Sequence, residues 1–292
     1  MPPVDPVPLR PRRVAWQWLS VTPFFIFALL FLILPGGFFV IGSFQDATGQ
    51  FTLRNFGDLF QPFILNSYWL SIEVSAVTAV IGGVFGFLLA YSAILGGLPR
   101  WIRSALMTFS GVASNFAGVP LAFAFIATLG RTGFATVLLK NWLGFDLYGT
   151  GFSLYTFWGL SLTYIYFQFP LMVLVMAPAI EGLKRDWREA AENLGASPAQ
   201  YWRYVALPVL LPSLLGAIIL LFGNAFGAYA TAFALTGGTL NLVTIQIGAQ
   251  IRGDVLHNPN LGYAMAQGMV VIMALSIAAY SWLQRLSARW LR

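Results

Sequence analysis

The chain has 292 residues, of which 58% are hydrophobic and 9% are charged, and its mean hydropathy is +0.75. Because charged residues make up about a quarter of water-soluble domains, this composition excludes an ordinary soluble protein and predicts an integral membrane protein. The lack of cysteine excludes disulfides, thiolate catalysis and cysteine-bound metals. The basic residues behind the net charge of +6 are scattered over short loops, which argues against nucleic acid as a partner.

Six apolar runs are long enough to cross a bilayer, which requires about 20 residues. They are continuous and do not alternate, so the predicted fold is all-α with six transmembrane helices and not a barrel. The first run is too long for the h-region of a cleaved signal peptide, so residues 1–19 are expected to precede a single membrane domain over residues 20–292. The predicted spans are Ser20–Phe44, Asn66–Leu95, Ser104–Leu129, Phe152–Ile180, Val209–Leu235 and Leu261–Leu283.

Lysine and arginine are distributed unequally between the two sides that six spans would create. One side carries twelve of them: Arg10, Arg12, Arg13, Arg100, Arg103, Lys184, Arg185, Arg188, Arg203, Arg285, Arg289 and Arg292. The other side carries four, which are Arg54, Arg131, Lys140 and Arg252. By the positive-inside rule both termini, and the connection between spans 4 and 5, are expected to be cytoplasmic.

That fourth connection contains a polar, helix-forming stretch, REAAENLGASPAQYWRYVALP, between two apolar runs. Its apolar residues recur at three and four positions, which predicts a helix with one small apolar face. Gly195 is predicted to end this helix, and a Ser197 to Gln200 capping box to begin a second one. Two i,i+4 ion pairs are expected on the solvated side, Arg185 with Glu189 and Arg188 with Glu192.

Two readings of this loop remain open from the residues alone. The paired alanines would allow close approach to a cleft on another protein, with Glu189 pairing with a basic group there. Alternatively, the first short helix lies on the membrane surface as an amphipathic interfacial helix.

The order Glu189-Ala190-Ala191, Gly195, Val205, Leu207-Pro208 resembles the EAA loop of binding-protein-dependent ABC importer permeases. That pattern is EAA, three residues, G, nine residues, I, one residue, LP, and Val205 is the one departure from it. The six predicted spans and FTLRNFGDLF before the second span are also similar to this family.

The resemblance implies a type I importer permease in the bacterial inner membrane, with coupling helices between spans 4 and 5, at about residues 181–208. Leu207 and Pro208 would end this loop. The implied partners are a dimer of ATP-binding subunits, a second permease expected to be a different chain, an extracytoplasmic solute-binding protein and membrane lipid. The implied ATPase-contacting residues are Trp187, Glu189, Ala190, Ala191, Leu194, Gly195 and Ser197.

Chemistry on the chain itself is not expected. Its two lysines, Lys140 and Lys184, both follow leucine, so there is no G-K-[ST] of a Walker A loop, and ATP and Mg²⁺ would be used by the partner ATPase. The single histidine, His257, is expected to be a solvated outer-loop residue, which leaves no metal motif and no catalytic cluster.

A stand-alone secondary transporter or channel is the main alternative, and a membrane-embedded enzyme is a further one. Such transporters usually carry several ionisable residues inside the membrane, whereas Glu73 is the only formal charge within a predicted span. Glu73 is either a cation-attracting or gating group, or a structural partner for a polar group on a neighbouring helix. The candidate path residues are Glu73, Asn115, Gln168, Asn224 and Tyr229, and interhelical hydrogen bonding is the alternative role of the amides.

The substrate class depends on a weaker resemblance. The segments YATAFALTGGTLNLVTIQI and NPNLGYAMAQGMVVIM are similar to the spermidine/putrescine branch of these permeases, which includes phosphonate and opine relatives. This implies a small polar or cationic solute, with a polyamine as the first candidate and ferric iron or a sugar as alternatives.

Overall fold

The computed structural model describes residues 14–253 and 257–290, with side chains over residues 21–253 and 257–284. Most of the predicted N-terminal segment, including Arg10, Arg12 and Arg13, therefore lies outside the described residues. The side chains of Arg285, Arg289 and Arg292 at the other end also lie outside them.

The described residues form fourteen α-helices joined by short loops, with one isolated antiparallel bridge between Gln45 and Phe51. The first seven are α1 Val14–Ala28, α2 Leu34–Ser43, α3 Arg54–Asp58, α4 Pro62–Leu95, α5 Arg100–Asn115, α6 Val119–Leu129 and α7 Phe134–Leu143. The other seven are α8 Phe157–Glu181, α9 Arg185–Asn193, α10 Pro198–Tyr201, α11 Leu207–Phe226, α12 Tyr229–Thr236, α13 Val243–Arg252 and α14 Pro259–Trp290.

Six helical segments of the described chain are long and apolar enough to cross a membrane, as predicted. The first, second, fourth and sixth agree with prediction to within about five residues. They are Val21–Ser43, Pro62–Leu95, Phe157–Glu181 and Pro259–Gln284.

The third span differs from the prediction of Ser104–Leu129, because the apolar candidate runs over Val119–Leu143, which is α6 with α7. α5 falls outside this candidate because it has 16 residues and ends at Asn115, which makes it short for a span on its own. Nevertheless α5 lies antiparallel to α8: Arg103 contacts Glu181, and the rings of Phe116 and Tyr166 lie 6.3 Å apart. α6 also packs along α8. α5 and α6 together therefore form an interrupted third span beside α8.

The fifth span begins eleven residues earlier than predicted, because one helix is continuous from Pro198 to Phe226. The second loop helix that the sequence predicts is the first turn of this long helix. Leu207 and Pro208 therefore lie within a helix and do not end the loop. A π turn over Trp202–Ala206 precedes Pro208 in this helix. In it the Leu207 N–H bonds to Trp202 O. This wider turn accommodates a proline that lacks an N–H and would crowd the carbonyl four residues earlier.

The packing of α4 on α8 is the centre of the bundle, and two glycines allow it. A Cβ at Gly82 would lie 2.5 Å from Gln168 Cβ, and one at Gly86 would lie 2.6 Å from Met172 Cβ. The two glycines are four residues apart, as in the G-x-x-x-G motif of closely packed membrane helices. Gly223 and Gly227 have the same spacing, but only Gly223 packs closely, against Met273, whereas Gly227 lies at a helix interruption.

Candidate functional site

The loop between spans 4 and 5 is built as a helix, a corner and the start of the next span. Gly195 adopts φ +77°, a conformation that favours glycine, and the Ala196 N–H bonds back to Ala191 O at 3.0 Å. Ser197 then caps the following helix: Gln200 N–H donates to its hydroxyl, and the Gln200 side chain accepts from Ser197 N–H. The predicted corner and capping box are both present.

α9 projects from the bundle with almost its whole surface exposed. Leu194 is 88% exposed and Trp187 is 36% exposed, although both belong to the predicted apolar face. The predicted ion pairs are formed at 2.9 Å, Arg185 with Glu189 and Arg188 with Glu192. Hydrogen bonding to Glu192 raises the pKa of Arg188 above its usual value. Glu189 is therefore paired within the helix and would have to exchange Arg185 for a partner's basic group.

Beneath α9 lies a cleft of about 540 Å³ that reaches the end of span 2. Its floor is aromatic, because Tyr91 of α4 packs edge-on against Trp202 with ring centroids 5.0 Å apart. Its rim carries charged side chains of α9, including Arg185 and Glu189. α9 is thus held over the bundle by its two flanking segments and not by burial of its own apolar face.

Spans 3 and 5 are both interrupted, and the two interruptions have the same backbone form. Phe116 (φ −83°, ψ 80°) follows α5, and Ala228 (φ −76°, ψ 76°) follows α11. Each is the centre of an inverse γ-turn, closed by Ala117 N–H to Asn115 O at 3.1 Å and by Tyr229 N–H to Gly227 O at 2.8 Å.

Side chains from neighbouring helices bind the backbone groups that these interruptions leave free. The Gly118 N–H at the start of α6 donates to Thr231 Oγ1 of α12 at 2.7 Å. The Tyr164 hydroxyl of α8 donates to Ala228 O, also at 2.7 Å. The two interruptions therefore lie side by side and are fixed to span 4, as buried backbone polar groups require.

The predicted path residues are distributed over different surroundings. Gln168 is fully buried and its amide donates to Leu221 O at 2.9 Å. It therefore forms an interhelical hydrogen bond, the alternative role given for the amides. Asn115 is exposed and its amide donates within its own helix, to Gly111 O and to Ser114 Oγ, and Tyr229 is half-buried and stacked on Phe233. Exposed Asn224 lines a groove of about 580 Å³ between α8, α11 and α14.

Glu73 does not join these residues. It is exposed, and among the described residues no side chain forms an ion pair or hydrogen bond with it, so the expected structural partner on a neighbouring helix is not found. Ala76, one turn further along α4, lines a separate groove with Ile218 and Ser276. Glu73 lines neither this groove nor the groove at Asn224.

Neither Thr231 nor Tyr164 was predicted as a site residue from the sequence. The available signal was glycine within otherwise apolar runs, at Gly118 and Gly227, which can mark an interruption but does not identify its partner. His257 is exposed, as predicted. No cluster of three or more His, Cys, Asp or Glu that could hold a metal ion occurs among the described residues.

Comparison with known proteins adds a family match. The family model described as "binding-protein-dependent transport system inner membrane component" matches residues 82–292. The chain is 28% identical over 222 residues to the sulfate transport system permease protein CysT of Escherichia coli, covering 75% of this chain and 74% of that protein. It is 25% identical over 286 residues to the spermidine/putrescine transport system permease protein PotB of Haemophilus influenzae, covering 91% and 93%.

A solved structure has the same fold. It is a chain from a bacterial ABC transporter involved in the import of the acidic polysaccharide alginate, with a TM-score of 0.71 and 17% identity. The match covers 95% of this chain and 96% of that one. At this identity the likeness concerns the fold alone.

Proposed function

The chain belongs to the family of binding-protein-dependent transport system inner membrane components, and from that premise we propose that a separate ATP-binding subunit docks on its α9 loop. Membership makes the chain a non-catalytic, multi-pass membrane subunit of an ABC importer, in which ATP is hydrolysed by another subunit. The observation that carries the proposal is the exposure of α9 and of the apolar residues on it: Leu194 is 88% exposed and Trp187 is 36% exposed. Exposed apolar faces of this kind are typical of protein interfaces.

The proposed contact residues are Trp187, Glu189, Ala190, Ala191, Leu194, Gly195 and Ser197. Replacing Ala191 with Trp overfills the small-residue position, so the ATPase should no longer co-purify with the membrane complex. Ala47→Trp, at an exposed residue of the first loop, is the matched control and should retain the ATPase. Full co-purification with Ala191→Trp would mean that α9 is only a surface helix.

The interrupted spans are proposed to line the translocation path, with Asn115 and Asn224 presenting amide groups to the solute. Both side chains are exposed, each lies just before an interruption, and the interruptions are adjacent. Uncharged amides suit a hydrogen-bonding solute, because they offer both donors and an acceptor. Asn224→Leu should reduce uptake while leaving ATPase binding intact.

For the solute we favour an organic cation of the polyamine type. Within the described spans Glu73 is the one carboxylate away from the helix ends, and a carboxylate within the membrane attracts a cation. The spermidine/putrescine relative also aligns over 91% of this chain. Sulfate is the second candidate, because sulfate permeases align at 28% identity.

Uptake by the reconstituted complex with its solute-binding protein distinguishes these solutes. Spermidine should be accumulated and sulfate should not. Glu73→Gln should lower spermidine uptake, whereas Asp58→Asn, at an outer-loop carboxylate, should not. Uptake of sulfate alone would overturn the cation assignment without touching the proposed ATPase docking.

The second permease of the complex is proposed to be a different chain. The mass of the intact complex tests this directly, because two identical permeases contribute twice the mass of this 32.0 kDa chain.

A further inference from the structure

The two interrupted spans are attached to the α9 loop in different ways. Span 5 is a direct continuation of the loop, because one helix runs from Pro198 to Phe226. Span 3 has no such continuity, since α5 begins at Arg100, in a different connection of the chain. Any motion of α9 therefore reaches span 5 through a helix but needs a non-covalent link to reach span 3.

Besides the packing of α5 on α8, one ion pair lies at the end of these helices nearest α9. Arg103, in the first turn of α5, contacts Glu181, the last residue of α8, and only Gly182, Leu183 and Lys184 separate Glu181 from α9. The other ion pairs of the described residues join partners at most six residues apart. Among the described residues, Arg103 with Glu181 is the one ion pair that joins two spans.

We infer that Arg103 and Glu181 are positioning residues that transmit the displacement of α9 to α5, so that span 3 moves together with span 5. This inference rests on the proposed docking of the ATPase at α9. It assigns the pair a role in coupling and not in contact with the solute.

The free energy that this ion pair contributes is too small for a main role in folding. Arg103 is 40% exposed and Glu181 is 50% exposed, and exposed ion pairs contribute about 0.2–1 kcal/mol. α5 is held on α8 by packing instead, since Ser110 and Ala113 are buried and Met107 packs against the cluster containing Met172. Loss of the pair should therefore leave α5 in place at rest but weaken its connection to α9.

The displacement can continue from α5 to the path. α5 ends at the interruption centred on Phe116, and the next helix is bonded to span 5 through Gly118 N–H and Thr231. The pair and this hydrogen bond thus lie at opposite ends of α5. Through them span 3 is attached to the loop at one end and to span 5 at the other.

The absence of cysteine from the sequence makes a direct distance measurement practical. Spin labels are introduced at exposed Thr108 of α5 and, separately, at exposed Ser213 of α11, each paired with a reference label at exposed Val84 of α4. Distances are measured by pulsed electron paramagnetic resonance in the assembled complex, without nucleotide and after trapping with ATP and vanadate. With Arg103 and Glu181 intact, both distances should change on trapping.

Charge reversal is the test of the pair. Arg103→Glu, and separately the neutral Arg103→Gln, should abolish the change at Thr108 while keeping the change at Ser213. Combining Arg103→Glu with Glu181→Arg should restore the change at Thr108. The matched control is Lys140→Glu, which breaks an ion pair of similar exposure with Asp146 and should leave both changes intact.

The outcomes separate the inference from the proposed function. An unaltered change at Thr108 in both Arg103 variants, or the loss of both changes while the ATPase remains bound, would overturn the role of the pair. If neither distance changes in the chain that retains the pair, coupling through α9 is wrong. That result would overturn the proposed function itself.

Discussion

At the scale of single residues, Gly195 controls the direction of α9 more than any neighbouring contact does. Its φ of +77° costs a side-chain-bearing residue about 1–2 kcal/mol, yet a Cβ built there meets no atom within 4 Å. The constraint at Gly195 is therefore conformational and not steric. Residues that tolerate the left-handed region should be accepted at this corner, and β-branched residues should not.

Replacing Gly195 with Val should turn the corner away from its present geometry and reorient α9, because α9 has little packing to oppose the strain. We expect weaker ATPase co-purification and loss of solute-stimulated ATP hydrolysis, with normal membrane insertion. Gly195→Asn is the matched control, since asparagine visits the left-handed region more readily, and it should retain most of the coupling. Equal coupling in both variants would show that this backbone conformation is dispensable.

At the scale of secondary-structure elements, the molecule uses interruptions within its spans. Backbone groups released by an interruption cannot be left unpaired in an apolar environment, so neighbouring side chains must bind them. Thr231 binds the Gly118 N–H, and Tyr164 binds the Ala228 carbonyl. These interhelical bonds make the positions of spans 3 and 5 interdependent.

Thr231→Val keeps the shape of the side chain but leaves the Gly118 N–H without its acceptor. Because Thr231 is 2% exposed, this should cost about 1–3 kcal/mol and lower the thermal unfolding temperature of the purified chain. Thr150→Val removes an exposed hydroxyl that bonds only within its own turn, and it should have little effect. Equal unfolding temperatures for the two variants would contradict the importance of the bond between the interruptions.

Pro208 offers a second test at this scale. Pro208→Ala removes the reason for the π turn, so the residues Trp202–Ala206 can return to ordinary α-helical bonding. The altered winding should rotate Trp202 relative to α11 and disturb its contact with Tyr91, while the stability of the chain is kept or raised. Thermal unfolding together with ATPase coupling checks this, and unchanged coupling would contradict it.

The sequence predicts these elements unevenly, for physical reasons. Long apolar runs such as Pro62–Leu95 identify a span because burial in lipid requires them, and the corner at Gly195 follows from local turn chemistry. The break between α5 and α6 at Phe116 is not visible in the predicted run Ser104–Leu129, because hydropathy does not report a local turn of the backbone. The bond from Gly118 N–H to Thr231 joins residues 113 positions apart, and no local pattern encodes it.

At the scale of the whole molecule, the first span and the α9 loop are the parts with the least internal support. In Val21–Ser43, none of the most apolar stretch of the helix is buried within the chain. In span 4, 61% of the corresponding stretch is buried. Span 1 touches the bundle mainly where α2 packs on α14, with Gly42 against the ring of Tyr263. The surface of span 1 is therefore left for contact with lipid or with another membrane subunit.

The orientation of the molecule in the membrane is the last prediction, and it follows from the distribution of charge. Twelve of the sixteen lysine and arginine residues lie on the side that carries α9, so that side should be cytoplasmic. The cysteine-free sequence allows single thiols to be introduced at two exposed sites, with Ala47→Cys on the first loop and Leu194→Cys beside the Gly195 corner. In intact spheroplasts a membrane-impermeant maleimide should label Ala47→Cys and leave Leu194→Cys unlabelled. After permeabilisation and denaturation in urea both thiols should react, and the cysteine-free parent should remain unlabelled. Labelling of Leu194→Cys in intact cells would reverse the topology and with it remove α9 from the reach of a cytoplasmic ATPase.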